Sequence, residues 1–360
     1  MRQLPVRTRY VTADAFMPLP FSAAHGTTLS CVEALAPLVG CVAAGVHAYY
    51  YGLAPGTLLV AGLLGMITGL GITVGFHRLF THRSFEASPS VRVALAILGC
   101  MSAQGHFFLW VATHRRHHRF SDHDGDPHSP HRGDDSRWSR IKDLFHAHFG
   151  WSLTDRLTDD ALRYIPDLTS DARLVRVQRL HLLWIAVGLA IPALLMYAIA
   201  GTWQAAIGGL LWGGFVRLTV TNQVTYAVNS ICHVWGSRSF ESSDQSRNNL
   251  LVAILSMGEG WHNNHHAFPT SARHGQYWWE PDLSWTVIKL LRRCGLAWNI
   301  KTPTAEQLQV SALAHTTSAA AKPIPPAENR RDSPKRQSTI SAKLSPTRPD
   351  YPAVSSVSSA

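Results

Sequence analysis

Charge is scarce in this chain: Asp, Glu, Lys and Arg make up only 16% of its 360 residues, against 46% hydrophobic. That is too little to solvate an ordinary soluble two-domain protein. Cysteine is sparse as well. The five present, at 31, 41, 100, 232 and 294, are odd in number, scattered and mostly in apolar settings. This excludes a disulfide framework and reads as reduced packing residues in a cytosol-facing protein. Residues 1–32 carry Arg2, Arg7 and Arg9 but no apolar core of signal-peptide length, so they read as a cytoplasmic N-terminal arm. Nucleic-acid-binding motifs are missing, which excludes nucleic acid as a partner. So are a His-Pro-Gly-Gly haem motif and a dinucleotide-binding glycine fingerprint, so any redox chemistry needs electrons from another protein. The formal charge of +10 is partly a tail effect. From Lys301 onward eight basic residues face four acidic ones, which accounts for +4 and leaves +6, a modest attraction to anionic lipid.

What the chain has instead is long apolar runs. Residues 34–51 and 57–76 run uncharged for about the ~20 residues that a membrane helix needs, joined by a short turn. A second pair follows at 182–200 and 203–220, joined by little more than Gly201 and Thr202. Four spans result, with basic residues concentrated on one side of them, which the positive-inside rule makes cytoplasmic. Residues 77–180 and 229–300 then form a cap on that side. The apolar stretch Val93–Ala103 is too short to cross and reads as an interfacial helix. Arg217 inside the fourth run belongs near the cytoplasmic interface, because a charge at mid-bilayer is costly. Residues 301–360, rich in Pro, Ser, Thr, Ala and charge, read as a disordered tail.

Histidine is abundant, with 20 residues, and its spacing is not random. His114, His117 and His118 stand at i, i+3 and i+4, which puts three imidazoles on one helix face, and His262, His265 and His266 repeat the pattern. His77 and His82 add a close pair, and Asn229 and His233, four apart, share a face at the end of the fourth run. Three clusters and His233 fall on one side of the membrane. One metal takes roughly four to six ligands, so nine neutral imidazoles suit two, although imidazole alone does not distinguish Zn, Cu, Fe and Ni. The spacing of five between His77 and His82 does not keep both on one face of a straight helix, so the second span must end or distort there. Asp122, Asp124 and Asp126 lack the later Glu of a calcium loop and suit a turn, or carboxylates that orient imidazoles.

These motifs resemble the membrane fatty-acid desaturases, specifically the acyl-CoA Δ9 (stearoyl-CoA-type) branch. The resemblance runs from Gly69 to Trp285 through HRLFTHRSF (77–85), HRRHHRFSDHDGDPHSP (114–130), HFGW (148–151), FVRLTVTNQVTYAVNSICH (215–233) and GEGWHNNHH (258–266). It implies an all-α integral membrane protein with four transmembrane helices and a cytosolic helical cap carrying a histidine-rich dimetal site. Two irons would be held by His77, His82, His114, His117, His118, His233, His262, His265 and His266, with Asn229 acting through a water. O2 is the implied co-substrate, and a ferredoxin, a rubredoxin-like protein or cytochrome b5 with its reductase the implied electron donor. The expected substrate is a long-chain acyl-CoA; an acyl-lipid, or a related hydroxylation of the same chain, stands as the alternative. A histidine-rich metal transporter is disfavoured because its ligands would sit near the bilayer midplane.

By the same resemblance Trp110 and Thr225 line the bend of a substrate tunnel, with Gln104 close by. Gly69 lies eight residues before His77, ~12 Å along an α-helix, and Gly65 one turn deeper. These glycines either pack a neighbouring helix or floor the tunnel for the end of an acyl chain.

Overall fold

Gly201, at φ +70°, takes the left-handed turn that ends one long apolar helix, and the Thr202 side chain caps the next by accepting from the Ala205 amide at 3.3 Å. Punctuation of this kind builds a mostly helical fold. The computed structural model describes residues 12–20, 22, 25–134, 136–154 and 156–312. In chain order α1 covers Gly26–Tyr51, α2 Thr57–Thr81, α3 Pro89–Cys100, α4 Phe107–Phe120, α5 Arg137–His148, α6 Ala172–Arg179 and α7 His181–Ala200. Next comes α8, built from the consecutive segments Trp203–Gly208, Gly209–Val216 and Arg217–Ser230. The short α9 (Leu250–Leu255) and α10 (His262–Ala267) and the longer α11 (Leu283–Arg293) follow. Strands β1 (Glu86–Ala87) and β2 (Ala297–Trp298) pair antiparallel.

Among the described residues, three helices are long and apolar enough to cross a membrane: Thr28–Tyr51, Thr57–Thr81 and His181–Ala200. The fourth apolar run becomes the first part of α8, which differs from them by carrying Arg217. This residue is only 4% exposed, and its guanidinium meets no carboxylate among the described residues. It donates instead to the carbonyls of Gly213 (2.6 Å), Met101 (3.3 Å) and Gly188 (3.2 Å) and to the Thr68 hydroxyl (3.0 Å). Every one of these acceptors is neutral, so the charge is solvated by dipoles from α2, α7, α8 and the end of α3 and ties them together.

Three boundaries differ from those expected. Helix α1 begins at Gly26, inside the expected arm of 1–32, and within that arm Ala13, Phe16 and Met17 are buried in the main core, while residues 1–11 lie outside the described residues. Helix α2 runs on past 76 to Thr81. The chain also stays packed beyond 301: Lys301 donates to the Ser84 carbonyl and its own carbonyl accepts from Ala272 (2.9 and 2.8 Å), and 305–312 are helical. Backbone pairing overrides the polar composition there; the expected disorder from 313 on falls outside the described residues.

The core lies between α2, α4 and α6. Phe76 and Phe80 of α2 meet Phe107, Phe108 and Val111 of α4 and Leu174 and Val177 of α6, all buried, with the Phe76 and Phe107 rings stacked at 4.7 Å. Each such side chain contributes roughly 1.5–3 kcal/mol. Helix α3, the short apolar stretch of the sequence, lies against the end of α2 so closely that a Cβ on Gly71 would come within 2.2 Å of the Gly99 amide. Only glycine fits there. This packing holds the histidine-bearing end of α2 in place.

Candidate metal centre

The end of α2 departs from an α-helix. Residues Gly71–Thr81 are wound as a π-helix, and this resolves the spacing of His77 and His82. Five residues in an α-helix turn through ~500°, leaving side chains ~140° apart, whereas about 4.4 residues per π turn brings them within ~50°. The two rings meet at 4.7 Å.

All nine histidines expected as ligands converge, and they divide into two groups. His77, His82, His114, His118 and His265 form one, and His117, His233, His262 and His266 the other, with the nitrogens of each group within 4.8 Å of one another. The two HxxHH stretches are used in opposite senses. In α4 the i and i+4 residues, His114 and His118, join the first group and His117 the second; in α10 His262 and His266 join the second and His265 the first. The groups adjoin, with the His118 and His266 rings stacked at 4.4 Å.

Four carboxylates orient this array. Nδ1 of His117 donates to Asp126 (2.9 Å), His233 to Asp122 (2.8 Å), His266 to Asp244 (2.5 Å) and His77 to Glu259 (2.5 Å). An ionised carboxylate only accepts, so each of these rings holds a proton on Nδ1 and is left to ligate through Nε2. Burial raises the carboxyl pKa values, but the facing imidazoles pull Asp122, Asp126 and Asp244 below the usual carboxylate range. Arg78 and then His77 do the same for Glu259. Burial, reinforced by neighbouring imidazoles, holds His82, His114, His118, His262 and His265 well below the usual histidine range, and so neutral.

Such a donor set fits metal ions. Nε2 of His82, His114, His117 and His266 is buried with no hydrogen-bond partner among the described residues. Orphaned polar atoms of this kind cost about 1–3 kcal/mol each. Elsewhere Nε2 atoms face each other, His265 with His77 at 3.2 Å and with His118 at 2.9 Å, and His233 with His262 at 3.0 Å. Converging imidazole nitrogens are what a divalent transition-metal ion takes.

An apolar cavity of about 530 Å³ reaches this array. Its wall includes His77, His114, His262 and Asn229 together with each residue expected to line a tunnel: Gln104, Trp110, Thr225, Gly65 and Gly69. Gln104 donates to the Thr225 hydroxyl (2.8 Å), and the Trp110 ring stacks on His114 at 5.1 Å. A second, polar cavity of about 350 Å³ shares Thr113 and Trp151 with the first and is lined by Arg116, Arg132 and Arg156 alongside Asp126 and Asp160.

Of the aspartate run, Asp122 and Asp126 orient histidines, as the sequence suggested, and Asp124 is exposed. His106, His131, His146 and His148 make hydrogen bonds outside the array, to Gln178, the His233 carbonyl, the Pro127 carbonyl and Ser230 with Gln223. Sequence reasoning missed Glu259, Asp244 and His274. His274 is fully buried, 3.2 Å from Glu259 and with its ring 4.4 Å from that of His265. Glu259 does lie three residues before His262, but no spacing marks it as different from a surface carboxylate.

The fold and the site together define a helical protein with three apolar candidate spans and two adjoining histidine clusters able to hold metal. Its sequence matches the profile described as "Fatty acid desaturase" over residues 53–288. The chain belongs to the fatty acid desaturase family. It is 42% identical to a hex-5-enoyl-[acyl-carrier protein] acetylenase of Moorena producens over 77% of this chain and 87% of the relative. It is 43% identical to an sn-1 stearoyl-lipid 9-desaturase of Synechocystis over 68% of this chain and 71% of the relative, and 40% identical to an icosanoyl-CoA 5-desaturase of Limnanthes douglasii over 69% and 65%. These relatives are named for three different acyl carriers, so they carry the family and not its acyl-CoA branch.

Proposed function

We propose that this chain is an O2-dependent diiron desaturase that introduces a cis double bond, at Δ9, into a saturated long-chain acyl group. The observation that supports it most is the division of nine converging histidines into groups of five and four at the inner end of an apolar cavity. One iron is assigned to His77, His82, His114, His118 and His265, and the other to His117, His233, His262 and His266, with Asn229 contributing through a water. The irons supply an oxidant that side-chain acids and bases cannot, because the methylene hydrogens are unactivated. In balance, the acyl chain loses two hydrogens, O2 accepts these with two electrons and two protons, and two waters form. The chain's own residues fix the ligand tautomers through four carboxylates, keep water out, and hold one methylene pair in place. Trp110, Gln104 and Thr225 lie where the cavity meets the histidines and are assigned to the bend that sets the reacting carbons. The electrons are assigned to a separate carrier protein: a ferredoxin, a rubredoxin-like protein or cytochrome b5.

For topology we assign four spans, α8 being the fourth, with the histidines in a cap facing the cytoplasm. Arg217 is compatible with this because its charge is satisfied inside the fold. The arginines of the polar cavity suit a phosphate, which CoA, acyl-carrier protein and phospholipids all possess, so they fit a carrier without choosing one.

An unsaturated-fatty-acid auxotroph expressing the chain tests the reading. Growth with cis-Δ9 monoenes and about two irons per purified chain is expected; unchanged lipids, or a product that has gained one oxygen, would overturn it.

Gly65 and Gly69 are assigned to the far part of the cavity. A Cβ on Gly69 would meet the flexible end of the Met257 side chain, its methyl at 2.4 Å and its sulfur at 3.9 Å. Leucine there therefore displaces Met257 and fills the channel without touching a ligand. The π-helical stretch winds more residues into each turn, so Gly69 stands nearer the histidines than an α-helix would place it. Gly69→Leu is expected to shorten the preferred acyl chain by several carbons at unchanged iron content. A wild-type ratio of C16 to C18 products would show that these glycines serve packing alone.

A further inference from the structure

The cavity is open along one side. In α2, Leu58, Gly62 and Met66 recur every four residues; all three line the cavity and all three are exposed, Leu58 at 58%. In α8, Trp212, Val216, Val220 and Val224 recur at the same spacing, line the same cavity, and reach 56% exposure at Val220. Residues one helical turn apart share a face, so each helix presents one stripe both to the cavity and to the outside. The third side is Ile254 and Leu255 of α9, 59% and 56% exposed, with Leu283 beyond. The seam between α2 and α8 is therefore a groove continuous with the space beside His77 and His262.

What faces that groove follows from its walls. Helix α2 is one of the helices long and apolar enough to cross a membrane, and the exposed side chains of the seam are all uncharged; Arg217, which also lines the cavity beside Gly65, is buried with its charge satisfied inside the fold. A slot of this kind at membrane depth is exposed to the acyl chains of the bilayer. Water would leave it hydrating an apolar wall, and a thioester of CoA or acyl-carrier protein would have to bring its charged carrier into hydrocarbon to use it.

We propose that the α2–α8 seam is a lateral portal through which the acyl chain of a membrane glycerolipid enters the cavity while its headgroup stays at the interface. This rests on the desaturase reading and adds to it the substrate class and the way in.

The test reconstitutes the full-length, iron-loaded protein in vesicles whose only saturated acyl chains are on phospholipid, with enzymatically reduced ferredoxin and O2. Double bonds are expected in the intact phospholipid without CoA or acyl-carrier protein. Tryptophan placed in the seam, as Val220→Trp, Ile254→Trp and separately Met66→Trp, is expected to slow that reaction at least tenfold at unchanged iron content. Leu59→Trp, on the outer face of α2 and away from the groove, is expected to stay within twofold of wild type. Seam variants as fast as Leu59→Trp would overturn the portal. So would wild-type protein that leaves the phospholipid saturated while desaturating stearoyl-CoA added to the same vesicles. Iron-loaded wild type that acts on neither substrate would count against the desaturase reading itself.

Discussion

His265→Ala is expected to leave no measurable turnover and to lower the iron content of the purified protein. His265 is fully buried, its Nε2 lies between those of His77 and His118, and its ring is 4.5 Å from His82, so it touches three other members of the five-histidine group. Alanine removes that ligand and leaves a gap that the remaining four do not close. Loss of an orienting carboxylate is expected to be milder, because the imidazole stays and only its tautomer and angle are freed. Asp126→Asn, beside His117, should cost about 10–100-fold in activity or metal affinity. His123→Ala is the control: the ring of this exposed histidine meets the Ser121 carbonyl and belongs to neither histidine group, and both iron and activity should stay at wild-type values. Metal analysis and product analysis on the same preparations separate the three levels. Full iron and activity in His265→Ala would remove it from the ligand set.

That grading shows what the sequence made legible. Six of the nine histidines stand out by spacing alone, because i, i+3 and i+4 share a helix face and the pattern recurs; His77 and His82 stand out as a close pair, and His233 by its place four residues after Asn229. Their division between two groups does not, because His117 and His118 are neighbours in the chain yet belong to different groups, as do His265 and His266. Neighbouring residues on a helix point roughly 100° apart, so one turn contributes to both groups, and which histidine joins which depends on how α4 and α10 face each other. The distortion between His77 and His82 was foreseeable; its form, a π-helix, depends on Gly71 and Gly75 packing under α3. The apolar runs gave three helices directly. In the fourth, Arg217 obscures the pattern, since acceptors from three other helices satisfy it and none of them is marked in the sequence. The orienting acids were partly visible: Asp122 and Asp126 lie among histidines, whereas Asp244 and Glu259 are single carboxylates whose partners come from elsewhere in the chain.

Arg78→Met is expected to cause the largest loss of stability from any single change outside the ligands. Arg78 is fully buried next to His77, and its guanidinium spans two buried carboxylates: it donates to Glu259 at 3.0 and 3.1 Å and to Asp282 at 2.9 Å, with a further bond to the Ala272 carbonyl at 2.8 Å. Each acid has a second task. Glu259 orients His77, and Asp282 accepts from the amides of His274 and Trp285, the latter capping α11. Methionine fills much of the same volume but leaves both acids without their cation. Removing one partner of a buried ion pair costs about 3–5 kcal/mol, because the remaining charge has neither water nor counter-ion. For a chain of this size that corresponds to a fall in melting temperature of roughly 4–7 °C. Glu259 could lessen the cost by taking up a proton, but it would then hold His77 less firmly, so iron should be lost along with stability. Arg78→Lys, a single point charge that cannot bridge both acids, should fall between. Adding Glu259→Gln and Asp282→Asn to Arg78→Met removes the stranded charges, and should restore part of the melting temperature without restoring full iron. Thermal unfolding in detergent followed by size exclusion, with iron measured on the same samples, checks each step. If Arg78→Met melts with wild type and keeps its iron, the bridge between the two acids does not support the site.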